Sequence, residues 1–240
     1  MAVENGEWIL HGMDWDSRER IRSWRELTDY VEQVGFLPLF KNEVDGFSVE
    51  EKTSPLFWWT GDPEQDPWEW RAMIARSEKV AYGKFFNKKA GFISLKWLPY
   101  FANYRRDGYD FDARWEDGLA GYRRKKIMDL FDEGETYASY ELKKDAGFGK
   151  GGEKNFSGIV TELQMQTYLV TRDFRQKRNR KGQTYGMAAS VYVRPETLWG
   201  YEIVSAAYRE APEKSGQRIM DRVRELYPDA DEKKIRKVCR

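Results

Sequence analysis

The sequence predicts an α+β protein with three regions: an N-terminal helix plus antiparallel strands, a middle unit of three helices followed by a β-hairpin, and C-terminal helices. Apolar residues recur at helical spacing in some segments, whereas other segments are rich in aromatic and β-branched residues. A polar, glycine-containing stretch at residues 105–114 separates the first two regions. We therefore place the N-terminal α+β part at residues 1–110, the middle unit at 117–194 and the C-terminal helical segment at 195–240.

The composition is that of a folded globular protein. Of the 240 residues, 40% are apolar and 15% are aromatic, which is ample for a hydrophobic core. The chain has no apolar run of the ~18 residues that a membrane-spanning helix needs, and its first residues lack the features of a signal peptide. We expect a cytoplasmic protein that does not bind membranes, and the sequence does not indicate an oligomeric state.

The N-terminal part should begin with an amphipathic helix at residues 17–33, for which Ser17 is a candidate N-cap. Residues 55–70 are broken by prolines and rich in tryptophan, so we predict an irregular but packed loop there. Tryptophans in such a cluster usually fill a core, although an indole can also stack on an unpaired base. The four tryptophans are Trp58, Trp59, Trp68 and Trp70.

An antiparallel meander should follow, with strands at residues 70–76, 80–86 and 90–94. Ser94 can then cap a helix at residues 96–104.

The middle unit contains three predicted helices. The first covers residues 119–131, the second follows Gly134 and ends before Gly147, and the third runs from about residue 155 to residue 166. In the third helix, Phe156, Ile159, Val160 and Leu163 are predicted to face inward, whereas Ser157, Thr161, Gln164 and Met165 are predicted to face outward.

A long hairpin completes this unit, with strands at residues 168–174 and 184–193. Residues 172–181 hold six cations and one anion, a net charge of +5, whereas the whole chain is only +1 and its other residues therefore sum to −4. Three helices followed by a β-hairpin is the order of a winged helix, a helix-turn-helix module with a β-wing that often binds DNA. Locally concentrated positive charge suits phosphate contacts, although a charged hairpin tip is often only a solvated edge.

The glycine-rich loop at residues 147–154 precedes the third helix. Its spacing matches neither of the common nucleotide-binding glycine motifs, so we interpret it as a flexible turn between helices. In that turn, Lys150 or Lys154 could contact a nucleic-acid phosphate.

Several classes of enzyme are disfavoured by the residues that the chain lacks. His11 is the only histidine and Cys239 the only cysteine, which leaves neither a zinc site of the His/Cys type nor a well-placed catalytic triad. The acidic residues around Asp107 match no calcium loop and fit a solvated linker better. We therefore predict no metal and no cofactor, and any chemistry would depend on carboxylate, Gln, Lys or Tyr side chains.

Four strings in the chain resemble a group of uncharacterised bacterial proteins related to the AlkZ/YcaQ winged-helix DNA glycosylases. The strings are YGKFF at residues 82–86, KAGFIS at 89–94, RRDGYDFDA at 105–113 and LQMQT at 163–167. The resemblance covers roughly residues 55–208. It implies DNA repair, with tandem winged helices and a Gln-apolar-Gln motif that places the attacking water. Gln164 and Gln166 match that motif, although it lies in the second half of this chain and not near its start.

The leading hypothesis is a winged-helix protein that contacts duplex DNA through its third helix and its wing. The alternatives are a base-excision DNA glycosylase that acts on alkylated or crosslinked bases, with Gln164 and Gln166 as candidate catalytic residues, and a winged helix that binds a protein partner. The predicted DNA-binding residues are Lys150, Lys154, Ser157, Thr161, Gln164, Arg172, Arg175, Lys177, Arg178, Arg180 and Lys181.

Overall fold

The computed structural model describes residues 2–4, 7–132 and 134–239. The fold is mixed α/β with antiparallel sheets and several helices, as predicted. A two-stranded sheet of β1 (Ala2–Glu4) and β2 (Glu7–Ile9) lies at the start of the described chain. In the described part of the chain, no helix is both long enough and apolar enough to span a membrane.

The first three-stranded sheet has the order β3-β5-β4 and is antiparallel throughout. Its hairpin of β4 and β5 confirms the second and third strands of the predicted meander. Asn87 and Lys88 turn this hairpin with φ angles of 47° and 65°, the left-handed conformation that a tight two-residue hairpin turn requires. The strands are β3 (Phe36–Pro38), β4 (Val80–Phe86) and β5 (Lys89–Ser94).

The predicted strand at residues 70–76 is wrong, because this segment belongs to helix α3 (Pro67–Ser77). The buried carboxylate of Asp66 accepts a hydrogen bond from the Trp68 N–H at 2.8 Å, and Pro67 occupies the first helical position. These two start signals and the inward-facing Trp70 and Ile74 outweigh the aromatic content that indicated a strand.

Two other helix starts differ from the prediction. Helix α1 (Trp24–Val34) begins after Ser23 and not after Ser17, because the Ser23 hydroxyl accepts the Glu26 N–H at 3.2 Å. Helix α4 (Leu98–Arg106) follows a turn in which the Ser94 carbonyl accepts the Trp97 N–H, so the Ser94 side chain does not cap this helix. Helix α2 (Val49–Lys52), which lies between α1 and α4 in the chain, is a single turn.

The middle unit has the element order helix, strand, helix, helix, hairpin. The predicted first helix is shorter at its start, which leaves Leu119 and Tyr122 exposed, and its last three residues form a 3-10 turn. The second three-stranded sheet has the order β6-β8-β7. Helix α5 (Phe111–Glu116) precedes the unit. The elements of the unit are α6 (Tyr122–Met128), β6 (Tyr137–Ala138), α7 (Ser139–Asp145), α8 (Phe156–Met165), β7 (Val170–Arg178) and β8 (Thr184–Val193).

The C-terminal segment is helical, as predicted, and Gly200 with φ 83° separates its first two helices. The larger hydrophobic core joins N-terminal elements to the C-terminal helices, and a smaller core is formed by residues between Phe111 and Tyr192. The division of the chain into three regions stays a prediction. The helices are α9 (Pro195–Trp199), α10 (Tyr201–Val204), α11 (Pro212–Leu226) and α12 (Glu232–Cys239).

A buried arginine connects these regions. The Arg106 side chain, only 1% exposed, leaves the end of α4 and donates to Glu196 Oε1 at 2.5 Å and to the Thr167 carbonyl at 2.7 Å. It also donates to the Tyr208 hydroxyl at 3.1 Å and lies over the Tyr168 ring. Burial by itself would lower the pKa of this guanidinium, but Glu196 more than compensates and holds the pKa above its usual value.

Replacement of Arg106 by Met should strongly destabilise the fold. The substitution leaves the Glu196 carboxylate and the Thr167 carbonyl without their buried donor, which typically costs about 3 to 5 kcal/mol. Urea unfolding followed by circular dichroism measures the free energy of unfolding. The control is Arg76→Met, which breaks the exposed Arg76–Asp173 ion pair and should cost less than about 1 kcal/mol. Equal losses in the two variants would contradict the central role of Arg106.

Candidate nucleic-acid interface

The β7–β8 hairpin has an anchored base and a projecting tip. At the base, Arg76 of α3 donates to Asp173 of β7 at 2.6 Å. The Arg71 guanidinium lies between the Trp68 and Phe174 rings, 3.2 and 4.9 Å from their centroids. These contacts fix the base of the hairpin against α3, whereas most of residues 175–187 are exposed.

The charge of the hairpin is concentrated at its tip. Among the described residues, the side chains of Lys177, Arg180 and Lys181 have neither an ion-pair partner nor a hydrogen bond. Arg178 donates to the Gly182 carbonyl at 3.0 Å and keeps its charge uncompensated. The sequence contains no Asp or Glu from residue 175 to residue 194, so the only acidic residue of the hairpin is Asp173 at its base, which pairs with Arg76.

Two other predicted cations of the hairpin are paired. Arg172 binds Glu78 at 3.2 Å, and Arg175 donates to both carboxylate oxygens of Glu141 at 2.9 Å. Both ion pairs are exposed, so they contribute little to stability and exchange readily with other anions. The sequence could not show these pairs, because each joins residues that are distant in the chain.

A bulge in β8 places apolar side chains beside the tip cations. Between the pairs Arg175↔Ala189 and Lys177↔Tyr185, strand β8 has two residues more than β7, and Gly186 takes a positive φ of 66°. Met187 is consequently 81% exposed, and Tyr185 is exposed as well. Sequence reasoning missed both residues, although a glycine inside a predicted strand is a known sign of a bulge.

The predicted outward face of α8 is wrong for Thr161 and Gln164, which are buried. Strand β4 covers this face. Gln164, 2% exposed, accepts the Lys84 N–H at 3.1 Å and donates to the Val160 carbonyl at 3.3 Å. Gly83 lies next to this contact, and a Cβ there would come within 2.8 Å of the Phe85 ring, so a larger residue would disturb β4. The helical spacing could not reveal that a second part of the chain covers α8.

The first turn of α8 and the loop before it remain accessible. Ser157, Lys150 and Lys154 are exposed and have no partner among the described side chains. Glu153 in the same loop is engaged by Arg123 at 3.0 Å. Of the predicted contact residues, the three near the start of α8 are therefore accessible, whereas Thr161 and Gln164 are buried.

The two glutamines of the Gln-apolar-Gln motif differ in environment. Both ends of the Gln164 amide are hydrogen-bonded, as described above. Gln166 is partly exposed, but its Oε1 atom is buried and has no hydrogen-bond partner among the described residues. An unpaired buried acceptor is costly and retains the capacity to bind a donor such as water.

The tryptophan cluster is mainly core, as predicted. Trp58 and Trp70 are buried, and their indole N–H groups donate to Thr53 Oγ1 at 2.9 Å and to the Glu64 carbonyl at 3.2 Å. Trp59 is 47% exposed and has a positive φ of 61°, with its ring edge-on to Trp58 and Trp68. Trp59 is therefore the most exposed of the four indoles.

Substitution of Gln164 should reduce stability more than substitution of Gln166. Gln164→Ala leaves the Lys84 N–H without its acceptor in a buried contact, which costs about 1 to 3 kcal/mol. Gln166→Ala removes a partly exposed side chain with no hydrogen-bonded oxygen and should cost less than about 1 kcal/mol. Urea unfolding of both variants measures the difference. A greater loss for Gln166→Ala would contradict these assignments.

A comparison with protein families gives one match. The model of the family described as "AlkZ related" matches residues 21–240, from the segment before α1 to the end of the chain. No curated protein and no solved structure matches the chain. Because the match covers far more than half of the sequence and includes the hairpin, α8 and the C-terminal helices, this protein belongs to the AlkZ-related family.

Proposed function

We propose that the middle unit is a winged helix and that it contacts duplex DNA through the tip of the β7–β8 hairpin. The order of elements from α6 to β8 is that of a winged helix, with α8 in the position of the recognition helix. Strand β6 pairs with β8 at Tyr192 and Val191, near the base of the hairpin, which supports a hairpin whose tip extends along a duplex.

The unpaired positive charge of the tip is the observation that carries this proposal. Lys177, Arg180 and Lys181 bear three charges without partners in the described structure, and residues 175–194 contain no carboxylate. DNA binding releases about one condensed counterion for each phosphate that a cation neutralises, so such a tip gains affinity for any duplex. The cations near the base of the hairpin are paired with carboxylates, whereas those at the tip are not. This difference favours a DNA contact made by the tip.

The bulge supplies an apolar contact next to this charge. Met187 and Tyr185 are exposed close in sequence to the tip cations. A ligand that covers these two side chains would gain free energy from the burial of their apolar surface. Apolar side chains on minor-groove binders pack on sugars or enter between base steps. We assign Met187 and Tyr185 to such contacts.

The proposal keeps most of the predicted binding residues. Lys177, Arg178, Arg180 and Lys181 make the primary phosphate contacts, and Arg172 and Arg175 can exchange their carboxylate partners for phosphates. The end of α8 adds Lys150, Lys154 and Ser157. Thr161 and Gln164 are not included, since β4 encloses them.

Removal of the three unpaired tip cations should weaken DNA binding and its salt dependence. Each neutralised phosphate contributes about −0.9 to the log-log salt slope, so the Lys177→Ser, Arg180→Ser, Lys181→Ser variant should lose up to about 3 from the magnitude of the slope. Fluorescence anisotropy with a labelled duplex of random sequence, at several salt concentrations, measures this slope.

The matched control removes three exposed cations elsewhere, Lys96, Arg209 and Lys214, which also have no ion-pair partner among the described residues. The control should keep the slope of the unmodified protein. Absence of binding by the unmodified protein at low salt would overturn the proposal and favour a winged helix that binds a protein partner.

A second candidate function is excision of a damaged base, which family membership and Gln166 favour. In this reaction a water attacks the sugar C1′ atom, the N-glycosidic bond breaks and the base leaves with a proton. We assign to Gln166 Oε1 the acceptance of a hydrogen bond from this water, because that oxygen has no other hydrogen-bond partner among the described residues. Gln164 would act only by holding α8 on β4, because both ends of its amide are engaged.

Base release tests this second candidate. Gln166→Ala should abolish release of an alkylated base from a duplex oligonucleotide and leave the dissociation constant for the same duplex within about twofold. Chromatography of the freed base and anisotropy on the same samples give the two readouts. If the unmodified protein releases no alkylated base, or if Gln166→Ala retains full release, Gln166 has no catalytic role in this reaction.

A further inference from the structure

A cationic cleft lies between the β4–β5 turn and helix α12. The cleft has a volume of about 500 Å³. Its lining contains three cations and no carboxylate: Asn87, Met165, Lys233, Arg236 and Lys237. Three separate parts of the chain meet here, namely the β4–β5 turn, the end of α8 and the last helix.

The cleft is held in place by contacts across these parts. The Lys88 N–H contacts the Met165 sulfur at 3.2 Å, which ties the hairpin turn to the end of α8. Lys237 of α12 pairs with Glu43 at 2.5 Å. Arg105 of α4 donates to the carbonyls of Met165 and Cys239 at 3.2 and 3.0 Å, so it joins α8 directly to α12.

The cations here exceed the available carboxylates. Arg236 pairs with Glu232, and Lys237 pairs with Glu43. The hydrogen bond from Lys237 outweighs burial and, with the charges of Lys237 and Lys89, lowers the pKa of Glu43. Lys88, Lys89 and Lys233 are exposed and have no ion-pair partner in the described part of the chain.

We propose that this cleft is a second phosphate-binding surface for DNA, separate from the wing. The inference rests on the proposed function and deepens it, since it assigns DNA contacts to residues outside the middle unit. A mobile small anion would need only one or two cations, whereas the three cations of the lining, together with Lys88 and Lys89 at the β4–β5 turn, suit the regular series of phosphates along a nucleic-acid strand. Met165 gives the cleft an apolar side that can contact sugars.

The position of the cleft also agrees with one DNA molecule on the protein. Helix α8 has the exposed Ser157 in its first turn and ends at Met165, so it runs from the predicted contact residues to the cleft. A helix of ten residues is about 15 Å long, which is roughly four to five base pairs of duplex. A single duplex of ordinary length can therefore reach both ends of α8.

The test removes Lys233, which lines the cleft, and Lys88, which follows the lining residue Asn87 and whose backbone N–H contacts Met165. Lys88→Gln with Lys233→Gln should reduce the magnitude of the log-log salt slope by about 2 and weaken binding at low salt. Lys96→Gln with Lys214→Gln is the matched control, since both residues are exposed and unpaired and neither lines the cleft. Circular dichroism and urea unfolding verify that all variants keep the fold.

The outcomes separate this inference from the proposed function. A reduced slope in the cleft variant, with an unchanged slope in the control, supports the second surface. An unchanged slope in the cleft variant, alongside a reduced slope in the tip variant, overturns the cleft and leaves the wing assignment intact. Equal reductions in cleft variant and control reflect total charge only and overturn the cleft, and no DNA binding by the unmodified protein overturns both.

Discussion

The buried guanidinium of Arg106 is the interaction on which the arrangement of this protein depends. It donates to Glu196 at the start of α9, to Tyr208 and to the carbonyls of Gln166 and Thr167 directly after α8. Thr167 has a left-handed φ of 60°, and this turn sends the chain from α8 into the hairpin. One side chain thus fixes α4, the turn before the β7–β8 hairpin and the C-terminal helices relative to one another.

The hairpin combines a rigid base with a free tip because of where its charges find partners. Near the base, Glu78 after α3 and Glu141 of α7 supply carboxylates to Arg172 and Arg175, and Arg71 lies between two aromatic rings. Burial lowers the pKa of the Arg71 guanidinium, and its interaction with Tyr82 opposes that decrease. Beyond Arg175 most residues of the hairpin are exposed, so its cations remain available to an external anion, as the proposed DNA contact requires.

Strand β4 gives α8 a role that its sequence does not indicate. The register shift after Gly83 frees the Lys84 N–H, and Gln164 accepts it. The face of α8 that carries Thr161 and Gln164 is therefore structural, whereas Ser157 near its start is exposed and Met165 at its end lines the cleft. The proposed contacts follow from this arrangement: the glycine-rich loop and Ser157 at one end, and Met165 with the cationic cleft at the other.

By itself, the sequence determined the mixed α/β class, the helices and hairpin of the middle unit and the positive charge of that hairpin, because periodicity, turn residues and charge are local properties. It missed the true start of α1, the helical state of residues 67–77 and the exposure of Met187, where a capping side chain or a bulge decides. Only the tertiary structure decided which cations are paired, which face of α8 is covered and how α12 meets the β4–β5 turn. Those facts depend on contacts between residues far apart in the chain, which no local pattern encodes.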